Sequence, residues 1–315
     1  MTARAVTRAF AGRLPVASRA YAVAMLVVPA AATALALADA LAHGLRALDV
    51  GLLGACYLLS TIGITVGYHR LLAHGAFQAK PALRDALVIL GCTAGEGPPL
   101  YWVANHRRHH EFSDEPGDPH SPYWAGDEPL RGLRSFWHAH AGWMITHALT
   151  NTLRYCPDLL REPRVTRLAR RYNLWLALGV VVPGLIAAAV EPSAASFARG
   201  ALWGGLVRMF VLHHVTWSIN SVAHLWGSRV FDVGDHSRNV AWLSVLSLGE
   251  SWHNNHHAFP SSARFGLAWY QLDVGAWVIS LLCWLGLAAS ARRPTAAMIE
   301  KRRGRAPSPR RDETP

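Results

Sequence analysis

The sequence predicts an all-α integral membrane protein: four transmembrane helices carrying a cytoplasmic helical cap that holds a histidine-rich metal site. Three observations predict it. Of the 315 residues, 16% are charged and 51% hydrophobic, with a mean hydropathy of +0.15, whereas soluble domains carry about a quarter charged residues. Four apolar stretches are each long enough to cross a bilayer. The histidines, 17 in all, gather in short clusters just beyond hydrophobic segments.

Residues 1–20 form a basic cytoplasmic tail with Arg4, Arg8, Arg13 and Arg19 and no acid. Residues 21–290 form the membrane domain. The first span, about 21–42, is rich in Ala, Val and Leu, with Asp39 near its far end. No small-residue cleavage site is evident, so it is a retained span rather than a signal peptide. The second, 50–68, has 19 residues without a charge, about 28 Å as a helix. The third, 174–190, contains Pro183; the fourth, 201–224, carries Arg208, His213 and His214. The connections at 43–49 and 191–200 are short and poorly charged, and most charge lies in 1–19, 69–172 and 225–315. The positive-inside tendency therefore puts both termini inside, with a cap built from 69–172 and 225–290.

Two further apolar stretches stand outside that count. Leu83–Val103 contains Arg84, Asp85 and Glu96 and is broken by "GEGPPL"; Val274–Ser290 is uncharged. A fifth span would put the basic C-terminus on the outer face, so both are expected as helices against the membrane or within the cap. Residues 291–315 carry eight basic residues against Glu300, Asp312 and Glu313, and their Pro, Arg and Ser predict a disordered basic tail. The two tails hold nine of the formal +11 charges. That leaves no basic face on a folded module, and nucleic-acid binding is excluded. Cys56, Cys92, Cys156 and Cys283 are scattered and indicate neither a disulfide framework nor a thiolate metal site.

Three histidine clusters stand out: "HRLLAH" (His69, His74), "HRRHH" (His106, His109, His110) and "HNNHH" (His253, His256, His257). In the last two, the i, i+3, i+4 spacing puts all three rings on one helix face. Positions i and i+5 lie about 140° apart on a regular helix, so His69 and His74 converge only if the helix ends or bends between them. A single HxxHH fits a solvated surface as well as a metal site. Two copies plus HxxxxH, each beyond a hydrophobic segment, favour one shared site. "NSVAH" adds Asn220 and His224 one turn apart at the inner end of the fourth span. Nine imidazoles exceed what one ion takes, whereas two ions with four or five each fit the count. Ligand type alone leaves Zn, Cu, Fe and Ni open.

The stretches "GYHRLLAHGAF", "WVANHRRHHEFSDEPGDPHSP", "TWSINSVAHLWG" and "GESWHNNHHAFP" resemble the histidine boxes and flanks of the membrane fatty acyl desaturases of the stearoyl-CoA (delta-9) type, from about Gly63 to about Gln271. The resemblance implies a di-iron centre, two Fe2+ ions ligated by His69, His74, His106, His109, His110, His224, His253, His256 and His257, with Asn220 meeting one iron through water. It implies four transmembrane helices under a cytoplasmic cap and a buried acyl tunnel passing the metals. Trp102, Thr216 and Trp217 are its candidates for tunnel wall against plain core packing. Asp118 and Glu250 are candidates for orienting imidazole N–H groups, against capping or salt-bridge roles. The chain departs from the pattern at Glu96, where animal relatives tend to have Gln, and at "AGDEPLRGLRS", an apparent insertion. His138 and His140 are read as structural or interfacial, and His213 as packed on Trp217. Arg107 and Arg108 are read as a solvated cytoplasmic face, or else as contacts for an acidic headgroup or electron donor.

The implied reaction is O2-dependent insertion of a cis double bond, delta-9 by resemblance, into an acyl-CoA or acyl-lipid. Neither a cytochrome b5 segment nor a dinucleotide fingerprint is present, so a separate donor of ferredoxin or cytochrome b5 type, with its reductase, is expected. A di-iron membrane hydroxylase is the alternative within the class. A membrane metal transporter is the alternative outside it, and is disfavoured because the clusters lie at the inner ends of spans rather than along a mid-span path. The Arg-dominated composition, with Lys80 and Lys301 the only lysines, points to a bacterial cytoplasmic membrane.

Overall fold

The longest apolar runs wind into the longest helices. The structure is a computed structural model that describes residue 12 and residues 14–304; the N-terminal tail up to Ala11, together with Arg13, and residues 305–315 of the C-terminal tail lie outside the described residues. Helix α1 is Val16–His43, stopped at Gly44, whose φ of 81° favours glycine. Helix α2, Ala47–Ile62, continues without a break into a π-helix over Gly63–Ala73. Helices α3 (Pro81–Thr93) and α4 (Pro99–Phe112) each begin on a proline, which the first helical turn tolerates, and "GEGPPL" breaks the chain between them. After short helices between Gly132 and Arg170 comes α5, Tyr172–Val190. Helix α6 begins as Ala194–Gly200, passes through a π-helical stretch at Ala201–Val207 and continues as Arg208–Leu225. Helices α7 (His253–Ala258), α8 (Val274–Trp284) and α9 (Ala296–Arg303) complete the helical set described here. Strand β1 (Gln78–Ala79) pairs antiparallel with β4 (Ala288–Ala289), and β2 (Trp124–Ala125) with β3 (Glu128–Pro129), the second pair lying at the apparent insertion.

Among the described residues, three helices are long and apolar enough to cross a membrane: α1, α2 with its π-helical extension, and α5. The stretch predicted as a fourth span is helical throughout but carries Arg208, His213 and His214. Arg208 is buried, and its guanidinium donates to the carbonyls of Gly204, Thr93 (2.6 Å) and Gly179 (2.9 Å). Backbone carbonyls are the partners an intramembrane arginine finds when no carboxylate is near.

The turns joining α1 to α2 and α5 to α6 meet at one end of the bundle. Arg199 bonds Asp39 and, at 2.5 Å, Asp49, while Arg46 bonds Asp49 at 3.0 Å and Glu191 at 2.6 Å. Both α2 and α6 therefore run from this charged knot toward the histidines. Helix α3 crosses the end of α2 closely: a Cβ on Gly63 would lie 2.2 Å from the backbone nitrogen of Gly91.

Two expectations need correction, and the non-spanning helix expected in Val274–Ser290 is shorter than that stretch. Residues 291–315 were expected to be disordered, yet 291–304 are ordered. Ala263 N–H donates to the Arg292 carbonyl (2.8 Å), Arg292 N–H donates to Ala76 (2.9 Å), and the Thr295 hydroxyl caps α9. The apolar stretch Val274–Ser290 is helical only to Trp284; 11 residues span about 16 Å, half a bilayer core. The arginines of "HRRHH" are not a solvated face. Arg107 ties the carbonyls of Leu72, Ala73 and Tyr155 and pairs with Asp158 at 2.7 Å. Arg108 is buried and holds the carbonyls of Gly117 and Ala148 and the Thr150 hydroxyl.

Candidate metal centre

The nine cluster histidines meet at the end of the bundle opposite the charged knot, in two groups. His69, His74, His106, His110 and His256 present ligand atoms all within 4.8 Å of one another, and so do His109, His224, His253 and His257. Each element delivers its rings for a definite reason. The i, i+3, i+4 faces of α4 and α7 are as expected, but they do not serve a single group: α4 sends His106 and His110 to the five-ring group and His109 to the four-ring group. Helix α7 likewise sends His256 to the first, and His253 and His257 to the second.

His69 and His74 converge as expected where the helix ends between them, at Ala73. It is wound as a π-helix, and the His74 N–H donates to the His69 carbonyl five residues back at 3.1 Å. Closing the ring at i+5 stacks positions five apart, much as an α-helix stacks positions four apart. The two ring centroids end 4.9 Å apart.

Within the groups the Nε2 atoms face each other: His74 and His106 at 2.7 Å, His110 and His256 at 2.9 Å, His69 and His256 at 3.1 Å. In the second group the separations are 2.9 Å for His224 and His253 and 3.4 Å for His109 and His257. Nitrogens about 2.1 Å from one ion and at right angles around it lie about 3 Å apart. The opposite ring nitrogen settles the chemistry. Nδ1–H of His109 donates to Asp118 (2.9 Å), that of His224 to Asp114 (2.9 Å), that of His257 to Asp235 (2.7 Å), and that of His69 to Glu250. A carboxylate only accepts, so Nδ1 carries a proton and Nε2 is the nitrogen left for a cation. His109 and His257 turn these Nε2 atoms toward each other, an arrangement that suits a cation between them.

Burial first, then the neighbouring rings, pushes His74, His106, His110, His253 and His256 well below the usual histidine range. They are therefore neutral donors at ordinary pH. Burial raises Asp118 and Asp235, but adjacent His109 and His120, and His257 and His224, outweigh it and hold both carboxylates well below the usual range. Glu250 is held in turn by Arg70, fully buried, at 3.0 and 3.1 Å, and Arg70 also pairs with Asp273 at 2.9 Å.

The expected orienting carboxylates, Asp118 and Glu250, both touch cluster rings. Sequence reasoning missed Asp114 and Asp235. Asp114 stands four residues past the second cluster, and that nearness to "HRRHH" was its one legible signal. A third trio, His109, Asp118 and His120, also lies within 4.8 Å, but both Asp118 oxygens are already taken by His109 and by the N–H groups of Asp114 and His120. The asparagines of "HNNHH" face away from the rings. Asn254 accepts from the N–H groups of Val230 and Phe231, and Asn255 donates to the Phe265 carbonyl, so they pin α7 to two loops. His140 bonds Ser221 and His214 at 3.0 Å, and His213 stacks on Trp217 with centroids 5.0 Å apart; neither joins a group.

Three cavities border the centre: one of about 620 Å³ reaches it at His74, and two others meet beside Trp102. Of these two the larger, about 400 Å³, runs from the start of α1 to His106 and Asn220, with Trp102, Thr216 and Trp217 in its wall. The smaller, about 50 Å³, continues past His69, His109 and His253 and shares Trp102, Thr216 and Asn220 with the larger. The three expected tunnel residues line these cavities, while Trp217 is also buried and Trp102 also packs against the core.

Comparison with known proteins agrees with this geometry. A family model described as fatty acid desaturase matches residues 50–283. The chain is 42% identical over 279 residues to a hex-5-enoyl-[acyl-carrier protein] acetylenase of Moorena producens (strain JHB), covering 88% of this chain and 87% of that one. It is 36% identical to the chloroplastic palmitoyl-monogalactosyldiacylglycerol delta-7 desaturase of Arabidopsis thaliana, covering 81% and 65%. To the sn-1 stearoyl-lipid 9-desaturase of Anabaena variabilis it is 37% identical, covering 75% and 80%.

Proposed function

The chain belongs to the fatty acid desaturase family, and from that premise we propose that it is an O2-dependent membrane desaturase that places a cis double bond, at delta-9, in a saturated acyl chain. The observation that carries the reading is the pair of histidine groups, five rings and four, bordering a long apolar cavity. Their Nε2 atoms, turned inward, suit two irons, held by His69, His74, His106, His110 and His256 on one side and by His109, His224, His253 and His257 on the other. Asn220, one turn before His224, lines both cavities beside Trp102, which supports the reading that it meets an iron through water.

Bound iron would supply activation of O2 and removal of hydrogen from an unactivated methylene, with two electrons from a separate ferredoxin or cytochrome b5 system. The chain's own residues do the rest. Asp114, Asp118, Asp235 and Glu250 fix the tautomers of four rings. Trp102, Thr216 and Trp217 form the wall that holds the alkyl chain against the centre and excludes water, which matters because an alkyl chain offers no polar handle at the reacting carbons. The chain is read as multi-pass, with α6 as a fourth span and the histidine end facing the cytoplasm.

The test is expression in a host lacking the activity, beside a His256→Ala control, with an electron donor supplied. A new monounsaturated acyl chain dependent on His256 supports the reading. A hydroxylated product would assign the hydroxylase chemistry instead. No new product from iron-loaded protein would refute both.

A further inference from the structure

The centre is approached from two sides that share no lining residue. The cavities that meet beside Trp102 are read as the acyl path, and none of their residues lines the cleft of about 620 Å³ that reaches His74. That cleft is polar: Arg84, Arg107, Arg292, Asp158 and Glu162 line it. His74 is partly exposed and turns its Nε2 to His106 at 2.7 Å. One imidazole therefore separates the cleft from the five-ring group, whereas every ring of the four-ring group is buried.

The charge around the cleft is one-sided. Its two carboxylates are already paired, Asp158 with Arg107 at 2.7 Å and Glu162 with Arg84 at 2.8 Å. Three exposed cations remain: Arg292 in the lining, Lys80 next to Ala79, and Arg161 next to Glu162. Among the described residues none of the three has an ion-pair partner. The backbone holds Arg292 in place, its N–H donating to Ala76, two residues past His74, at 2.9 Å. Three acids of the cap lie elsewhere, Asp114, Asp118 and Asp235 holding rings of the four-ring half.

We infer, on the desaturase reading, that the His74 cleft is the docking port of the electron carrier, a small soluble protein with an acidic face that brings its redox group up to His74. Forming one double bond removes two hydrogens from the acyl chain. With two electrons and two protons from the medium they reduce O2 to two waters. Each docking oxidises one carrier by one electron, so carriers must bind and leave twice in every turnover. Exposed rim charges suit that traffic, because they speed encounter without making the complex long-lived. An anionic substrate head would also meet these cations, but its acyl chain would start from a cleft that shares no wall with the acyl path.

The experiment uses the full chain, iron-loaded, in nanodiscs, with an acidic plant-type [2Fe–2S] ferredoxin as the carrier. Its dissociation constant is measured by biolayer interferometry, which needs no turnover, and its oxidation by stopped flow. Wild-type binding should weaken about tenfold between about 0.05 and about 0.2 M salt. Arg161→Glu with Arg292→Glu should weaken binding about tenfold and raise KM for ferredoxin alike, with kcat and iron content little changed and the salt dependence mostly gone. The same double reversal at Arg131 and Arg134, exposed residues outside the cleft, should leave both readouts unchanged. Lys80→Glu is the single-charge variant, expected to give a smaller loss in the same direction. It decides together with the wild-type salt series if the double variant loses iron. With dithionite and a small uncharged mediator in place of ferredoxin, all these proteins should turn over alike. Ferredoxin binding unchanged by the cleft variants, or weakened equally by the Arg131 and Arg134 pair, overturns the inference. A raised KM for the acyl substrate with ferredoxin binding unchanged overturns it too and assigns the cleft to an anionic head group. No product with either electron source overturns the desaturase reading, while the dissociation constants still decide whether the cleft docks the carrier.

Discussion

The two halves of the histidine centre are built differently. In the four-ring half every histidine is buried, and three of the four rings have Nδ1–H held by an aspartate: His109 by Asp118, His224 by Asp114 and His257 by Asp235. In the five-ring half, Glu250 is the one carboxylate hydrogen-bonded to a ring among the described residues, and His74, His106 and His110 are partly exposed. Glu250 is itself fixed by Arg70, which Asp273 shares. One half is thus set by many short-range partners, the other by a single buried ion-pair relay and by the winding of one helix. Orienting partners raise ligand basicity and fix ring direction, so the four-ring half should bind its ion tightly and the five-ring half should exchange more readily.

The largest effect should follow removal of a ring. His256→Ala and His257→Ala should both abolish detectable product, but with different residual metal. His256→Ala should keep one iron in the four-ring half, and His257→Ala should lose that ion preferentially. Metal analysis of the two purified proteins decides, and equal loss of both ions in both variants would break the distinction. Next comes the aspartate scaffold. Asp118→Ala or Asp235→Ala should weaken binding in the four-ring half by about 10–100-fold, as read by chelator competition, with the second ion little changed.

Arg70→Met probes the other scaffold. It strands Glu250 and Asp273 as buried carboxylates and should cost about 3–5 kcal/mol of stability, seen as a lowered unfolding midpoint. An unchanged midpoint would show that the relay does not support the five-ring half. The smallest effect is acid sensitivity of the metal-free protein. His74, His106 and His110 have folded-state values pushed down by burial, so the unfolded chain takes up protons that the folded chain refuses. Their contribution is present above about pH 6.5 and is lost as pH falls below it. Thermal unfolding of the metal-free protein at falling pH should show a decline that His74→Ala lessens.

Much of this site was legible because its rings cluster in sequence. The i, i+3, i+4 spacing is a local property, and so is the one-turn pairing of Asn220 with His224. Asp118 and Glu250 stood close to a cluster and could be singled out. Asp235 could not: it lies 22 residues from His257 in a loop with no motif, and only tertiary folding brings them to 2.7 Å. The π-helical winding at Gly63–Ala73 was illegible because residue types do not distinguish i+5 from i+4 closure; the packing of Gly63 against Gly91 on α3 accompanies it. Arg107 and Arg108 misled for the opposite reason. Charge suggested solvent, but helix-end carbonyls at residues 72–73 and 155 and loop carbonyls at 117 and 148 needed donors, and the arginines supply them. Order at 291–304 escaped because composition does not register the Arg292 backbone pairing with Ala76 and Ala263.

The central claim is that nine histidines form two adjacent nitrogen-rich sites of unequal support. Iron analysis with X-ray absorption at the iron edge, on the full chain in nanodiscs, tests it most directly. The account predicts two irons per chain, each in a shell dominated by nitrogen at about 2.1 Å, with one iron leaving first under chelation and the His257→Ala protein lacking the slower one. A single iron per chain, or two that leave at the same rate in every variant, would contradict it.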